Sequence, residues 1–496
     1  MTAQEQRTTV GKLPDKTAES PFVPGLLTRA VWLVWVATLG VLTARVVFGW
    51  RPEPPAGFTI DGLTVLMWVT VAFFSGVIHS YSRRYMAGSE RITGFFLRVF
   101  AFTVVVMVLV AADSVVLFVG AWLAMGLVMA ELIGHVRGWR QARAAARVAR
   151  RYFLASSLLL AVSLLTLWWH TGATTVSGTA AAIGEVPTTP ALFAAGTLLL
   201  AAMVQSALVP FHTWLLSSMT APTPASALMH AGFVNAGGIL LTRFAPVVSV
   251  DSRFLLLVVI VGATSALLGK LLKSVQSDVK RQLGCSTTGQ MGFMFMQAGL
   301  GFFGAAITHL ILHGFYKAYL FLSASGAVEQ TTPATTTEKT GSNTLVGTAV
   351  AVPTAVVGGA LFAVLTGKGT SLDSGLLLTG LVALTTLHAT RTAIAESTVP
   401  ATLRYGLVPF VFLPSVALYA GVYVAVGNLL EGLALVTSPA SLGVVHGVVA
   451  VAFLAAYVGI ETGAYKHSKR LYVWLLNASQ PPAGTVLTST EEYNEY

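Results

Sequence analysis

Long apolar runs set the strongest limit on how this chain folds. A helix rises about 1.5 Å per residue and a bilayer core is about 30 Å thick, so about twenty apolar residues span a membrane. Such runs recur along the chain after residue 30, and only 10% of the 496 residues are charged, against about 25% in soluble domains. We therefore predict an all-α, polytopic membrane protein without a large aqueous domain.

The apolar runs predict about fourteen transmembrane helices. They cover approximately 30–49, 60–81, 94–112, 114–135, 152–169, 190–209, 224–243, 254–273, 283–300, 302–326, 343–366, 374–396, 404–427 and 442–463. The polar segment before them lacks the compact apolar core of a signal peptide and is interpreted as a tail.

The positive charges indicate an orientation. With the amino terminus in the cytoplasm, 24 of the 30 lysines and arginines fall on the cytoplasmic side, as the positive-inside rule requires. Five fall on the outer side, and Lys317 lies within a span. Both termini are then predicted to be cytoplasmic. The net charge of +10 is a topology signal and needs no nucleic-acid partner.

Charged residues near the span ends allow several interpretations. The arginine-rich stretch from His135 to Arg151 is interpreted as a solvated cytoplasmic loop, with a docking surface for an acidic partner or anionic lipid as the alternative. Glu131, at the end of the fourth span, is a weak candidate for the ion pathway. Asp278 is predicted to cap a helix at the cytoplasmic side.

The most informative polar residues lie inside a predicted span. In the run His309-Leu-Ile-Leu-His313-Gly-Phe-Tyr-Lys317, a spacing of four places two histidines and a lysine along one helix face. Each charge within a span costs about 2.5–3.5 kcal/mol on insertion scales, and imidazole changes protonation near neutral pH. This arrangement indicates a proton relay. Polar groups that hydrogen-bond between helices are the alternative.

A second polar group surrounds a predicted break in a helix. The segment after Gln205 contains Pro210, which removes a backbone donor, and His212. A further proline-containing stretch then starts the helix that carries His230. Interrupted helices at membrane depth mark ion or substrate sites in transporters. A simple turn at the membrane surface is the alternative.

A third polar group follows the eleventh predicted span, where glycines flank Lys368 and Asp373 lies five residues later. The Gly-Lys-Gly-Thr sequence lacks the spacing of a phosphate-binding loop, so nucleotide binding is not expected. Lys368 is interpreted either as an ordinary loop lysine or as a terminal proton site.

Three segments together resemble a known family of membrane subunits. They are Pro210-Phe-His-Thr-Trp214 continuing to Ala231, the stretch Asp278-Val-Lys-Arg-Gln-Leu-Gly-Cys-Ser-Thr-Thr-Gly-Gln-Met-Gly292, and the stretch from His309 to Gly326. In order and spacing they are similar to the proton-conducting subunits shared by respiratory NADH-quinone oxidoreductase, its L subunit, and multisubunit cation/proton antiporters. The resemblance implies two inverted five-helix repeats that contain broken helices, and a chain of lysines and histidines across the membrane.

The resemblance also implies a division of the chain. The expected parts are a cytoplasmic tail at 1–29, amino-terminal transmembrane helices at 30–93, repeats at 94–243 and 254–396, further transmembrane helices at 404–463, and a cytoplasmic tail at 464–496.

The resemblance assigns roles residue by residue. The matching positions are a histidine after the first broken helix, a central lysine with two relay histidines, and a terminal lysine of the second broken helix with a nearby acid: His230, Lys317, His309, His313, Lys368 and Asp373. A Glu–Lys pair that the family has in the first half-channel is replaced by Leu123 and Gln205. This departure weakens the case for an independent first half-channel.

With Leu123 and Gln205 in place of this pair, and with its local sequence from Met229 to Pro246, the chain most resembles the DabB family of membrane subunits of inorganic-carbon pumps. We predict a subunit that passes protons or, less favourably, Na⁺ inward. The resemblance implies a transport subunit of a bacterial inner membrane, not an enzyme, in a complex that accumulates inorganic carbon using a cation gradient. It also implies a DabA-like partner, a large cytoplasmic protein with a carbonic-anhydrase-like zinc site.

We expect no cofactor in this chain. A single cysteine, Cys285, excludes a disulfide framework and an iron–sulfur cluster held by this chain alone, and the histidines are dispersed.

The alternatives to a subunit of an inorganic-carbon pump are a proton-pumping subunit of an NADH-quinone oxidoreductase-like complex and a cation/proton antiporter subunit.

Overall fold

The computed structural model describes residues 22–330, 344–396, 401–435, 437 and 439–486. Within these ranges the chain is helical, and its only β-type pairings are isolated bridges. Most of the predicted 1–29 tail and the last ten residues of the predicted 464–496 tail lie outside the described residues.

The helices follow one another with short connections. In the first part they are α1 (Phe22–Phe48), α2 (Gly62–Tyr85), α3 (Ile92–Ala111), α4 (Val115–Ile133), α5 (Arg140–Thr171), α6 (Val176–Ala181), α7 (Thr188–Gln205), α8 (Thr213–Ser217), α9 (Thr223–Ala231), α10 (Ala236–Arg243) and α11 (Ala245–Val248). In the second part they are α12 (Ser252–Ser274), α13 (Val279–Gly299), α14 (Phe303–Gln330), α15 (Thr344–Thr366), α16 (Ser374–Glu396), α17 (Ala401–Leu429), α18 (Val444–Glu461), α19 (Ala464–His467) and α20 (Lys469–Ala478).

The helices agree with a multi-pass membrane protein. Among the described residues, 11 helices are long and apolar enough to cross a membrane. Three further predicted spans correspond to α13, α14 and α16, which carry more polar residues. The predicted all-α membrane fold is confirmed.

Two segments contain helix where the sequence was interpreted as a loop or a tail. Helix α5 begins at Arg140, not near residue 152, so most of the arginine-rich stretch is helical and not a loop. Alanines and arginines, which favour helices, fill this stretch. The segment after residue 464 is not only a tail, because it forms α20, which packs against the helical body through Leu475.

The few aspartates cap helices. Asp61 accepts from the backbone N of Thr64 at the start of α2, at 2.8 Å. Asp278 accepts from the backbone N of Arg281 at the start of α13, at 2.7 Å, as predicted. A cap satisfies backbone donors that a helix start leaves unpaired.

Connections at the same end of the bundle contact each other. At the end predicted to be outer, isolated bridges join Phe58 to Ala112, Ser114 to Thr175, Phe302 to Thr437, and Asp373 to Ser441. At the opposite end, hydrogen bonds join Tyr85 to Thr223, Lys280 to Ala221, and Arg281 to Gln480. The connections therefore alternate between two ends, as expected for successive membrane crossings.

Helices α12 and α13 pack backbone to backbone. A Cβ built on Gly269 would lie 2.3 Å from the backbone N of Gly289, so a side chain there would force the helices apart. Small residues allow such close approach in membrane bundles. This contact brings the backbone of α12 beside the part of α13 that faces the central polar residues.

Candidate functional site

The structure brings three predicted site residues together on α14. The rings of His309 and His313 are 5.9 Å apart and within 14° of parallel. Lys317 follows one turn later and is fully buried. At about 1.5 Å per residue, this stripe covers about 12 Å along the helix axis, near the middle of α14.

The ammonium group of Lys317 is held by a backbone carbonyl. Its Nζ donates to the carbonyl O of Leu283 on α13 at 2.9 Å. Within the described residues, no carboxylate lies at ion-pair distance from it. On insertion scales, a lysine at the centre of a membrane helix costs about 2.5–3.5 kcal/mol, so a buried lysine without a counter-ion is a candidate functional residue.

A hydrogen-bond network joins Lys317 to His230 on another helix. The hydroxyl of Thr287 donates to the same Leu283 carbonyl at 2.9 Å, and Nδ1 of His230 lies 2.9 Å from that hydroxyl. Because the hydroxyl proton is directed to Leu283, Nδ1 of His230 carries the hydrogen and donates. His230 also stacks on Phe321 of α14, with ring centroids 4.4 Å apart.

Several buried polar atoms on α7, α9, α12, α13 and α14 have no hydrogen-bond partner within the described part of the chain. They are Nε2 of His230, His309 and His313, both side-chain heteroatoms of Gln205, and the hydroxyls of Ser265 and Thr288. Buried polar groups are normally satisfied by protein or by ordered water. We interpret the unpaired Nε2 atoms of His230, His309 and His313 as part of a polar path between α14 and α9.

Gln297 extends this path towards the outer end. Its backbone carbonyl accepts from the backbone N of Phe302 at 3.0 Å, and its side chain is fully buried. One turn earlier on α13, Phe293 contacts the ring of His309 at 5.4 Å. Gln297 thus lies between the level of His309 and the outer turn.

Lys368 lies in that outer region. Its Nζ is 5.3 Å from the centre of the Phe302 ring, immediately before α14. Burial lowers the pKa of Lys368, and the nearby carboxylate of Asp373 opposes this shift. Asp373 accepts from the backbone N of Gly375 at 2.8 Å and so caps α16.

The family resemblance predicts that Lys368 belongs to the second of two broken helices. Instead, a turn of residues 367–373 joins two continuous helices, α15 and α16. Gly367 and Gly369 have φ of 67° and 76°, a left-handed conformation that favours glycine. The glycines beside Lys368 therefore form a turn and do not interrupt a span.

The first interruption is present where the sequence predicts it. Helix α7 ends at Gln205, and the chain continues through an irregular segment to α8. Gln205 is fully buried there. His212 lies in the irregular segment, and its Nε2 is hydrogen-bonded to the carbonyl O of Ala478 at 3.0 Å. The structure therefore links His212 to α20 and not to the central stripe.

Between residues 94 and 243, all of which the structure describes, no carboxylate is buried. The acids of this range are Asp113, Glu131 and Glu185. Glu131 pairs with Arg150 at 2.6 Å, and both side chains are nearly half exposed. The structure therefore does not bring Glu131 to the central residues.

Three residues that the sequence analysis did not select form a second network. Nζ of Lys270 lies 3.0 Å from Nε2 of His388, and Nδ1 of His388 lies 3.0 Å from Oε1 of Glu461. The ammonium donates to Nε2, so Nδ1 carries the hydrogen towards the carboxylate. These residues come from α12, α16 and α18, and no spacing along the chain links them.

Comparison with known proteins gives consistent findings. Residues 112–365 match the family described as NADH:quinone oxidoreductase/Mrp antiporter, TM, and residues 53–96 match NADH-Ubiquinone oxidoreductase (complex I), chain 5 N-terminus. A protein of Halothiobacillus neapolitanus named probable inorganic carbon transporter subunit DabB1 is 39% identical over 280 residues, covering 55% of this chain and 50% of that protein. NADH-ubiquinone oxidoreductase chain 5 of Cryptococcus neoformans is 35% identical over 274 residues, covering 55% and 41%.

A solved structure shares the fold. The Mrp complex from Dietzia sp. DQ12-45-1b aligns with a TM-score of 0.56 and 21% identity over 96% of this chain and 52% of that chain. The chain thus spans about half the length, or less, of the proteins to which it is compared.

Proposed function

Because the chain belongs to the NADH:quinone oxidoreductase/Mrp antiporter family of ion-translocating membrane proteins, we propose that it conducts protons inward to drive inorganic-carbon accumulation. The observation that carries the proposal is the buried network of Lys317, Leu283, Thr287 and His230, in which three contacts of 2.9 Å link two titratable groups. The similarity to DabB1 of Halothiobacillus neapolitanus supports inorganic carbon as the cargo of the complex.

Protons enter at the outer turn in this proposal. Lys368 lies over Phe302, and Gln297 and His309 lead from there towards the middle of the membrane. The stacked histidines then lead to Lys317. One charge that crosses 100 mV releases about 2.3 kcal/mol, which supports about 1.7 decades of gradient. A small number of protons per accumulated carbon molecule is therefore sufficient to drive accumulation.

We propose two inner branches beyond Lys317. One passes through Thr287 to His230, near the broken helix at Gln205. The other is the network of Lys270, His388 and Glu461 at the inner ends of three helices. Since α12 touches α13 at Gly269 and Gly289, Lys270 lies beside the α13 turn that follows Thr287.

The chemistry of the path favours protons over Na⁺. Lysine and imidazole release and accept protons, whereas hard cations bind to oxygen ligands and most strongly to carboxylates. The central stripe of His309, His313 and Lys317 offers nitrogen donors and acceptors. A proton is therefore the ion that these side chains can pass along.

A partner completes the proposed complex. We assign carbon hydration to a DabA-like cytoplasmic zinc protein, because zinc hydration sites use clustered histidine, cysteine or carboxylate ligands. The one cysteine of this chain, Cys285, is buried in α13, and no three histidine, cysteine or acidic side chains of the described residues are grouped as a metal site would need. Proton flow through this chain would supply the free energy for the partner.

Lys317→Ala tests the proposal. We expect uptake of inorganic carbon to fall at least about tenfold and growth in air to fail without added CO2, because loss of a proton-transfer group costs two or more decades of rate. Lys466→Ala, at an exposed lysine, is the control. With matched protein levels in the membrane, wild-type uptake by Lys317→Ala would refute the relay.

The relatedness to NADH-ubiquinone oxidoreductase chain 5 supports a second candidate, a proton-pumping subunit of a redox complex. Affinity purification from the native membrane distinguishes the two. A zinc-containing soluble partner supports carbon accumulation, whereas flavin or iron–sulfur subunits with NADH- or quinone-dependent electron transfer support the redox complex. Na⁺ sensitivity of a deletion strain would instead indicate a cation/proton antiporter.

A further inference from the structure

A cleft of about 540 Å³ opens between the end of α4 and the start of α5. Its polar lining consists of Glu131, Arg137, Arg140, Arg143, Arg147 and Arg150. We propose that this arginine cleft binds the phosphate of an anionic phospholipid headgroup. The site lies apart from the ion pathway and does not depend on the proposed function.

Small residues let the two helices converge beneath the arginines. A Cβ on Gly134 would lie 2.8 Å from the Cβ of Ala146, so α5 crosses directly against the end of α4. Ala130, Gly134 and Ala146 line the cleft between the charged groups. The long arginine side chains therefore surround a shallow space and do not fill it.

The arginine cleft has an excess of positive charge. Spacings of three and four residues place Arg140, Arg143, Arg147 and Arg150 along one face of α5. Among the described residues, the one carboxylate in the lining, Glu131, is already engaged by Arg150 at 2.6 Å. Guanidinium groups bind phosphate oxygens through paired hydrogen bonds, so a phosphate is the complementary ligand.

His135, a buried residue beside the arginine cleft, is surrounded by positive charge. Burial, together with Arg98, Arg91 and Arg137, lowers the pKa of His135 to about 4. His135 therefore stays neutral at physiological pH and neither adds to nor removes charge from the arginine cleft. The charge of the cleft rests on arginines, which remain protonated in proteins.

The face of α5 that carries the arginines continues as an apolar surface. Arg147 and Arg150 are exposed, and Leu154, Leu158 and Leu165 follow on the same side with exposed fractions of 46%, 66% and 60%. A phosphate in the cleft would therefore sit at the end of a stripe that contacts acyl chains. Free phosphate or an acidic peptide would use the arginines but not this stripe, so a lipid fits best.

Titration of defined lipids onto the purified protein, followed by native mass spectrometry, tests the site. We expect phosphatidylglycerol to bind the wild-type protein more tightly than phosphatidylcholine, and Arg143→Gln with Arg147→Gln to weaken phosphatidylglycerol binding about 30-fold. Arg84→Gln with Arg151→Gln removes the same charge at exposed positions outside the cleft and is the control. It should change binding less than about twofold.

Three outcomes would overturn the proposal. The first is equal loss of phosphatidylglycerol binding in the cleft pair and the control pair, which would indicate unspecific attraction. The second is competition by inorganic phosphate at concentrations similar to those of lipid, which would indicate a free anion. The third is an acidic protein that co-purifies with wild type and not with the cleft variant, which would assign the cleft to a protein interface.

Discussion

The hydroxyl of Thr287 couples two titratable side chains that lie on different helices. It donates to the carbonyl of Leu283 and accepts from His230, and the same carbonyl accepts from Lys317. Hydrogen bonds that share a group polarise one another in a buried site. A change of protonation at Lys317 therefore alters the hydrogen bond that holds His230.

Thr287→Val keeps the shape of this side chain and removes its hydroxyl. We expect inorganic-carbon uptake to fall several-fold, because Nδ1 of His230 loses its acceptor, at a cost of about 1–3 kcal/mol for a buried unpaired group. Thr287→Ser should retain uptake. Thr308→Val is the matched control, since the Thr308 hydroxyl bonds only to the carbonyl of Gly304 in its own helix, at 2.9 Å.

Equal uptake by Thr287→Val and wild type would contradict the coupling. Thermal unfolding of the purified variants separates transport from stability. If Thr287→Val lowers uptake while its unfolding temperature matches that of Thr308→Val, the hydroxyl acts in transport.

The sequence could predict the stripe on α14 but not the groups that complete it. A spacing of four suffices for His309, His313 and Lys317, because one helix carries all three. The carbonyl of Leu283 is a backbone group and has no sequence signature. Thr287 lies in one of the segments that carry the family resemblance. Only the packing of the helices shows that its hydroxyl contacts His230.

At the scale of the helix, proline alone did not predict an interruption. The chain breaks at Pro210, where a second proline-containing stretch and polar side chains follow within a few residues. Pro353, Pro409 and Pro414 lie inside continuous helices. Neighbouring helices and side chains can satisfy the groups that a proline frees within a membrane helix.

The carboxy-terminal helix α20 fastens the broken helix at the inner end of the bundle. The carbonyl of Ala478 is hydrogen-bonded to His212, and Ser479 bonds to Gln276. Leu475 is fully buried in a cluster with Leu216 and other residues of this end. From the sequence, this segment was interpreted as a polar tail. A single apolar face on a ten-residue helix raises the mean hydropathy of the segment only slightly.

Leu475→Ala tests this fastening. Truncation of a buried leucine costs about 2–5 kcal/mol, so we expect α20 to detach and amides near His212 to exchange faster with deuterium. Leu476→Ala is the matched control, because Leu476 is 36% exposed on the same helix. Identical exchange in both variants would show that α20 does not hold the broken helix.

At the scale of the molecule, hydropathy predicted the all-α membrane architecture, whereas the orientation taken from the charges stays a prediction. Apolar runs predicted where the chain crosses the membrane. Successive connections lie at alternate ends of the bundle, with Phe302 contacting Thr437 at one end and Tyr85 contacting Thr223 at the other. These signals are properties of one segment at a time. The network of Lys270, His388 and Glu461 depends on how three helices rotate and pack, which no single segment encodes.

The orientation in the membrane is testable because the only cysteine, Cys285, is buried and should react poorly. We expect Ser371→Cys, exposed in the turn beside Lys368, to react with a membrane-impermeant maleimide on intact spheroplasts. Ser468→Cys, exposed before α20, should react only after the membrane is opened. This pattern follows from the excess of cations at the end that carries Ser468. The reverse pattern would invert the topology and place the Lys368 end of the path in the cytoplasm, so that protons would have to leave there and enter near Glu461.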